Sequence, residues 1–350
     1  MAYTDIDKPT DYFNTVLYTG NATTPTNITG VGFQPDWVWI KNRNNAEVHI
    51  LADVVRGANK LLESNTTDAE LSDTNYIKGF SSDGFQIGSE GAVNGNNQGH
   101  VAWNWLASNT TASNTQGDIA STVSANTTSG FSIVSYTGSA TNPSTVGHGL
   151  GTAPAMIIVK NRSTSGRDWV IWHKELGGAS STADLLIFTT SAKITSSGYW
   201  GSSAPSSTTF GVGNTNNNNA NGDNHIAYCF AEKKGYSKFG SYTGNSNVDG
   251  TFIYTGFKPS FLIAKCSSAT GSWFMADNKR DGFNVITKAL LSESSSAEAN
   301  ETYHAVDFLS NGFKWRGADD RVNVSGKTYI YMAFAESPFV TSTGIPTTAR

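Results

Sequence analysis

The chain is poor in charge. Only 15% of its 350 residues are Asp, Glu, Lys or Arg, and the net charge is −4. That balance excludes the basic footprint needed to hold duplex nucleic acid or an anionic lipid surface. Cysteine is scarce as well: Cys229 and Cys266 are too few for a disulfide-stapled scaffold and have no CxxC or Cys/His ligand spacing, so they read as small core residues. No apolar run approaches the roughly 18 residues of a membrane-spanning helix, and MAYTDIDKPTDYF lacks the basic and apolar regions of an export leader. The expectation is a protein made soluble in the cytoplasm, without membrane insertion. P-loop, GxSxG, HExxH and EF-hand patterns are absent too, and Gly147, Gly149 and Gly151 precede no dinucleotide-binding helix. No catalytic residue, metal ligand or cofactor site is therefore expected.

What is abundant is Gly (35), Ser (40), Thr (40) and Asn (32), with 11% aromatics including nine Trp. The aromatic mass excludes general disorder, and the low charge argues against helical bundles and coiled coils. An all-β protein with short helical turns is the expected class.

Internal similarity sets the expected organisation. Tyr-Thr-Gly recurs at Tyr18, Tyr136 and Tyr242, spaced by 118 and 106 residues. Next come GFQPDWVWIKNR from Gly32, GTAPAMIIVKNR from Gly151 and GFKPSFLIAKCS from Gly256. A third element closes each copy: HVAWNW from His100, HIAYCFAE from His225 and YIYMAFAE from Tyr329. The register predicts three tandem β-sandwich or jelly-roll-like modules at residues 12–108, 129–235 and 236–338. Around them lie an N-terminal segment (1–11), a linker (109–128), in which DIASTV from Asp118 is the alternative of an added strand for the second module, and a C-terminal tail (339–350).

In each central strand Trp37/Met156/Phe261 and Trp39/Ile158/Ile263 point one way, while Val38/Ile157/Leu262 and Ile40/Val159/Ala264 point the other. Both faces are apolar, so the strand is expected to be covered on both sides. The segments from Asp53 and Asp277 have near-helical apolar spacing and predict a short helix or turn in each, with those aspartates available as caps. Asn216 to Asn219 reads as an exposed loop tip.

Recurrent polar residues receive structural readings. Lys41, Lys160 and Lys265 end the central strands, with stems along apolar surface and ammoniums at the sheet edge. Arg56 and Arg280 pair with local carboxylates. His100 and His225, matched by Tyr329, open the closing strands and are bonded at the rim. Asp83, Glu232 and Asp307 are the acids nearest strand ends. Seven tryptophans (Trp37, Trp39, Trp103, Trp105, Trp169, Trp273 and Trp315) occupy framework positions, which is core behaviour. Only Trp172 and Trp200 stand outside the frame, and these are the candidate glycan-binding platforms.

The phrases DKPTDYFNTVLYTG from Asp7, GVGFQPDWVWIKNR from Gly30, STVSANTTSGFSIVSYTG from Ser121, GHGLGTAPAMIIVKNR from Gly147, AYCFAEKKGYSKFGSYTG from Ala227 and IYMAFAESPF from Ile330 resemble a family of bacteriophage virion proteins. The family is common in phages of marine bacteria and is described as tail-fibre or phage structural protein. The resemblance runs end to end and implies a non-enzymatic virion component, exposed on the particle surface. Its expected partners are other virion proteins and a host cell-surface receptor, with a glycan as the candidate receptor. A capsid decoration or head-fibre protein is the alternative within virions, and a carbohydrate-binding or carbohydrate-active β-sandwich protein the alternative outside them. Homotrimeric association is expected from the protection that sheet edges need and from the threefold habit of phage fibres, with a pseudo-trimeric monomer, in which three like modules imitate a threefold ring, as the alternative.

Overall fold

The computed structural model describes residues 4–178, 182–202 and 204–338. The fold is almost entirely antiparallel β, with one α-helical turn at Gly91–Asn94. Three large sheets share one strand order. In the first, Phe13–Thr19, Gly99–Trp105, Trp37–Asn42 and Ile50–Asp53 lie side by side. The second repeats the order with Phe131–Thr137, Asn224–Phe230, Met156–Asn161 and Val170–His173, and the third with Ser237–Thr243, Thr328–Pro338, Phe257–Cys266 and Trp273–Asp277. Registers match as well: Trp37 faces Trp105 and Asp53, Met156 faces Phe230 and His173, and Phe261 faces Phe334 and Asp277.

Each large sheet is covered on one face by a small sheet of its own. Thr26–Thr29, Gly84–Ile87 and Ile77–Ser81 cover the first, Ser144–Gly147 and Thr209–Val212 the second, and Phe252–Tyr254, Gly312–Trp315 and Val306–Leu309 the third. Between the layers lie three separate outer cores, which hold Val38 and Ile40, Ile157 and Val159, and Leu262 and Ala264.

The other faces of the large sheets turn toward one another and build a single central core from all three parts of the chain, including Trp37, Trp39, Met156, Ile158, Phe261 and Ile263. At its centre Trp105, Phe230 and Phe334, which hold the same register position, form a triangle with ring centroids 5.8, 6.1 and 6.5 Å apart. Such tilted and edge-to-face spacings favour aromatic packing. The arrangement is pseudo-threefold, and it explains why the central strands are apolar on both faces.

Several expectations need correction. Residues 109–128 take the added-strand alternative and are not a linker: Ala112–Asn114 and Ser121–Asn126 extend the second large sheet, and Ser121, Thr122 and Val123 alternate buried, exposed and buried. Of the helix or turn expected after Asp53 and Asp277 it is the turn that forms: each aspartate ends a strand and its Oδ1 accepts the N–H of Arg56 or Arg280. Asn218 and Asn219 are fully buried, so only the start of the 216–219 run is a loop tip. The tail at 339–350 lies outside the described residues.

Candidate binding groove

The recurrent polar residues are almost all spent on holding the sheets to one another. Asp53 and Arg56 are fully buried and paired at 2.5 Å, and Tyr228 of the second sheet donates its hydroxyl to the same carboxylate at 2.8 Å. Asp277 and Arg280 repeat the pair at 2.6 Å, and there Trp103 of the first sheet donates its indole N–H at 3.2 Å. A second clamp lies outside each pair. Arg162 grips Glu70 through two bonds of 2.7 and 3.0 Å, and Arg43 grips Glu298 at 2.9 and 2.8 Å. Planar two-bond recognition of a carboxylate is what guanidinium geometry favours.

The three lysines contradict the sheet-edge expectation. Lys41, Lys160 and Lys265 are wholly buried, and their ammoniums rest on backbone carbonyls. Lys160 bonds the Thr67 carbonyl of the first part of the chain at 3.1 Å, and Lys265 bonds that of Ser191 in the second at 2.8 Å. Burial holds all three ammoniums below the ordinary lysine range, at about 8.

The Tyr-Thr-Gly repeat has an equally specific cause. Tyr18 and Tyr136 stack on His100 and His225, and Tyr242 stacks on Tyr329, at 5.0, 5.1 and 5.0 Å. The tyrosine hydroxyls donate to the carbonyls of Val93, Asn218 and Val322. The residue after each of these is a buried asparagine, Asn94, Asn219 or Asn323, whose Oδ1 accepts a backbone N–H from Asn21, Ser139 or Asn245. Sequence reasoning missed these three asparagines, although each stands six residues before His100, His225 or Tyr329, because the residues immediately around them differ. His100 and His225 are thus buried stacking partners, more enclosed than rim positions, and burial lowers their pKa.

Trp172 and Trp200 are both only 2% exposed and pack in the outer core of the second sheet. Neither offers a flat face for a sugar ring, because each fills a place between the large sheet and its cover. The seven framework tryptophans are buried as expected. Cys229 and Cys266 are buried and unpaired. The acids near strand ends are also committed. Asp83 accepts the N–H groups of Gly30 and Gly32, Asp307 pairs with Arg316, and Glu232 sits between Lys174 (2.8 Å) and Lys238 (2.6 Å). Burial alone would raise the Glu232 pKa, but the two ammoniums bring it below the ordinary range and keep it ionised.

Glu232 marks the best candidate surface. A hollow of about 510 Å³ on one side of it is lined by Asp5, Lys234, Lys238, Tyr254 and Gly256. A smaller one of about 280 Å³ on the other side is lined by Pro154, Trp172, Lys174 and Pro205. Tyr254 is 56% exposed, so the groove combines an accessible aromatic ring with charged groups of both signs. A further hollow of about 500 Å³ lies where three loops meet, with Asn65, Asp68, Asp168, Thr189 and Glu293 around it, but Glu293 is committed to the Trp273 N–H at 3.1 Å.

Against known families, residues 8–338 match the model of a domain of unknown function, DUF7483. The chain belongs to that family. A comparison with curated proteins finds none that matches. In this family member most of the charged side chains that recur between copies hold sheets together, and the groove sits astride one of them, Glu232.

Proposed function

We propose that the chain is a non-enzymatic structural component of a bacteriophage virion, a tail-fibre or tail-appendage protein that contacts the host surface. The observation that best supports this reading is the commitment of the recurrent acids and bases. Asp53, Asp277, Glu70, Glu298 and Glu232 are each held by a cation, which favours a rigid scaffold over a reacting centre. The end-to-end likeness of its motifs to phage structural proteins supplies the setting. The low charge adds to it, since a surface soluble through Ser, Thr and Asn is little affected by salt. Host contact falls to the groove with Tyr254, whose ring and flanking lysines and carboxylates suit a saccharide. The same groove supports the second reading, a lectin-like β-sandwich protein outside a virion.

The test is to raise antibodies to the purified chain, label intact phage and image the particles by electron microscopy. Label on the tail supports the proposal, and label on the head selects the decoration or head-fibre alternative. Particles that contain no trace of the chain by label or by mass spectrometry overturn it.

A further inference from the structure

Two of the three contacts between large sheets are built alike, and the third is not. Where the first and third sheets end in Asp53 and Asp277, the second ends in His173, and where Arg56 and Arg280 follow, it has Leu176. The partner position differs as well: Tyr228 and Trp103 donate to the aspartates, but Met332 holds the equivalent register place and has nothing to donate. The outer clamp is also missing. The backbone bonds Glu70 N–H to Arg162 and Glu298 N–H to Arg43 have their counterpart in Lys193 N–H to Ser267, without a guanidinium–carboxylate pair.

His173 closes this contact with its ring. Nδ1 accepts the N–H of Glu175 at 3.2 Å, which places the ring proton on Nε2, and Nε2 lies 3.2 Å from the Tyr331 carbonyl in the third sheet. The ring is 1% exposed and sits 6.3 Å from Phe239. An imidazolium does not fit this geometry, because Nδ1–H would point at the Glu175 N–H.

The charged and titratable groups facing the ring are few. Lys174 disfavours its protonation, and Glu232, already held by Lys174 and Lys238, favours it. Glu175 is turned to the Ser241 hydroxyl at 3.3 Å. From the third sheet come the Tyr331 backbone, with a phenol pushed up by burial, and the apolar Phe239 and Met332.

We propose that His173 is an acid-sensitive latch: when it takes up a proton it leaves the Tyr331 carbonyl and the contact between the second and third sheets opens, while the two Asp–Arg contacts stay closed. Burial holds the imidazole down at about 3, against about 6.5 for a solvated ring. A folded-state pKa below the unfolded value means that the closed contact is at full strength above pH 6.5 and weakens as pH falls toward 3. Opening is expected to become roughly tenfold more favourable per pH unit within that window. His49, His148 and His225 are also held down by burial, so a general loss of stability accompanies acidification. Localised opening distinguishes the latch from that background.

Hydrogen–deuterium exchange of the full chain at pH 7.0, 5.5 and 4.5, corrected for intrinsic rates, tests the proposal. The expected result is early loss of protection in 237–243 and 328–338, with 13–19 and 99–105 still protected. His173→Asn, which keeps an acceptor and a donor but does not titrate, is expected to remove that selective loss. Equal loss in all three sheets, or the same selective loss in the variant, overturns the latch. If the variant does not fold, the wild-type ring is followed by NMR with labelled histidine. Titration of His173 in step with the opening supports the latch, and titration near 6.5 without opening overturns it.

Discussion

Glycine at the end of each Tyr-Thr-Gly is fixed by close approach. A Cβ on Gly20 would fall 2.3 Å from the Gly95 carbonyl oxygen, on Gly138 2.2 Å from that of Ala220, and on Gly244 2.3 Å from that of Val324. All three contacts are with backbone, which has little freedom to give way. Gly138→Ala is therefore expected to destabilise the fold by about 1–3 kcal/mol or more, the range for overpacking a tight site. Gly79→Ala, with nothing within 4 Å of the added atom, is the near-neutral control. Urea unfolding of the two variants checks the difference, and equal midpoints would remove the close-approach account. At this scale the sequence was half legible. The tyrosine and glycine recur as a motif, but the asparagines that answer them lie 76, 83 and 81 residues further on, in AVNG, NNNA and RVNV. The signal that could have found them lies on the other side, since each stands six residues before the His100, His225 or Tyr329 that opens its closing strand.

At the scale of elements, strand faces could be read outright, whereas turns could not be told from short helices. Alternation along WVWI, MIIV and FLIA assigned Trp37 and Trp39 to one side and Val38 and Ile40 to the other, as the separate cores show. The segments after Asp53 and Asp277 left helix and turn both open, because a buried turn with an aspartate at its start satisfies the same pattern as a capped helix. Their purpose lies in the contact they make, which involves residues more than 170 positions away. This gives a test of whether the two kinds of contact are interchangeable. Arg56→Leu alone leaves the Asp53 carboxylate buried without its cation and is expected to cost about 3–5 kcal/mol. Adding Asp53→His and Tyr228→Met copies the His173, Leu176 and Met332 solution and should recover most of that loss in urea midpoint. Copied elements that make the chain progressively less stable would show that the third contact depends on more than these three positions.

For the whole molecule, the repeats announced similar parts and left two ways for them to meet, between three chains or within one. Apolar residues on both faces of a central strand require two covers. One cover is the small sheet of the same part, and the other is the pair of remaining large sheets. This bears on the expected homotrimer. Threefold packing of β modules normally needs three chains, but here Trp105, Phe230 and Phe334 already close a triangle within one chain. The inner faces that a trimer would bury are therefore used up, and the two Arg–Glu clamps and the Asp–Arg contacts tie the same parts together. The prediction is that the purified chain scatters light as a single copy, near its mass of 37.3 kDa, at micromolar concentration. A mass three times larger would mean that a second, exposed surface associates, and the apolar side chains left outside nominate it. Phe252, Tyr254, Phe283 and Val285 are all at least 43% exposed and all belong to the third part of the chain. Replacing Phe283, at 90% exposure, by Ser would then return the larger species to the mass of one chain, whereas a trimer that survives that change must be held elsewhere.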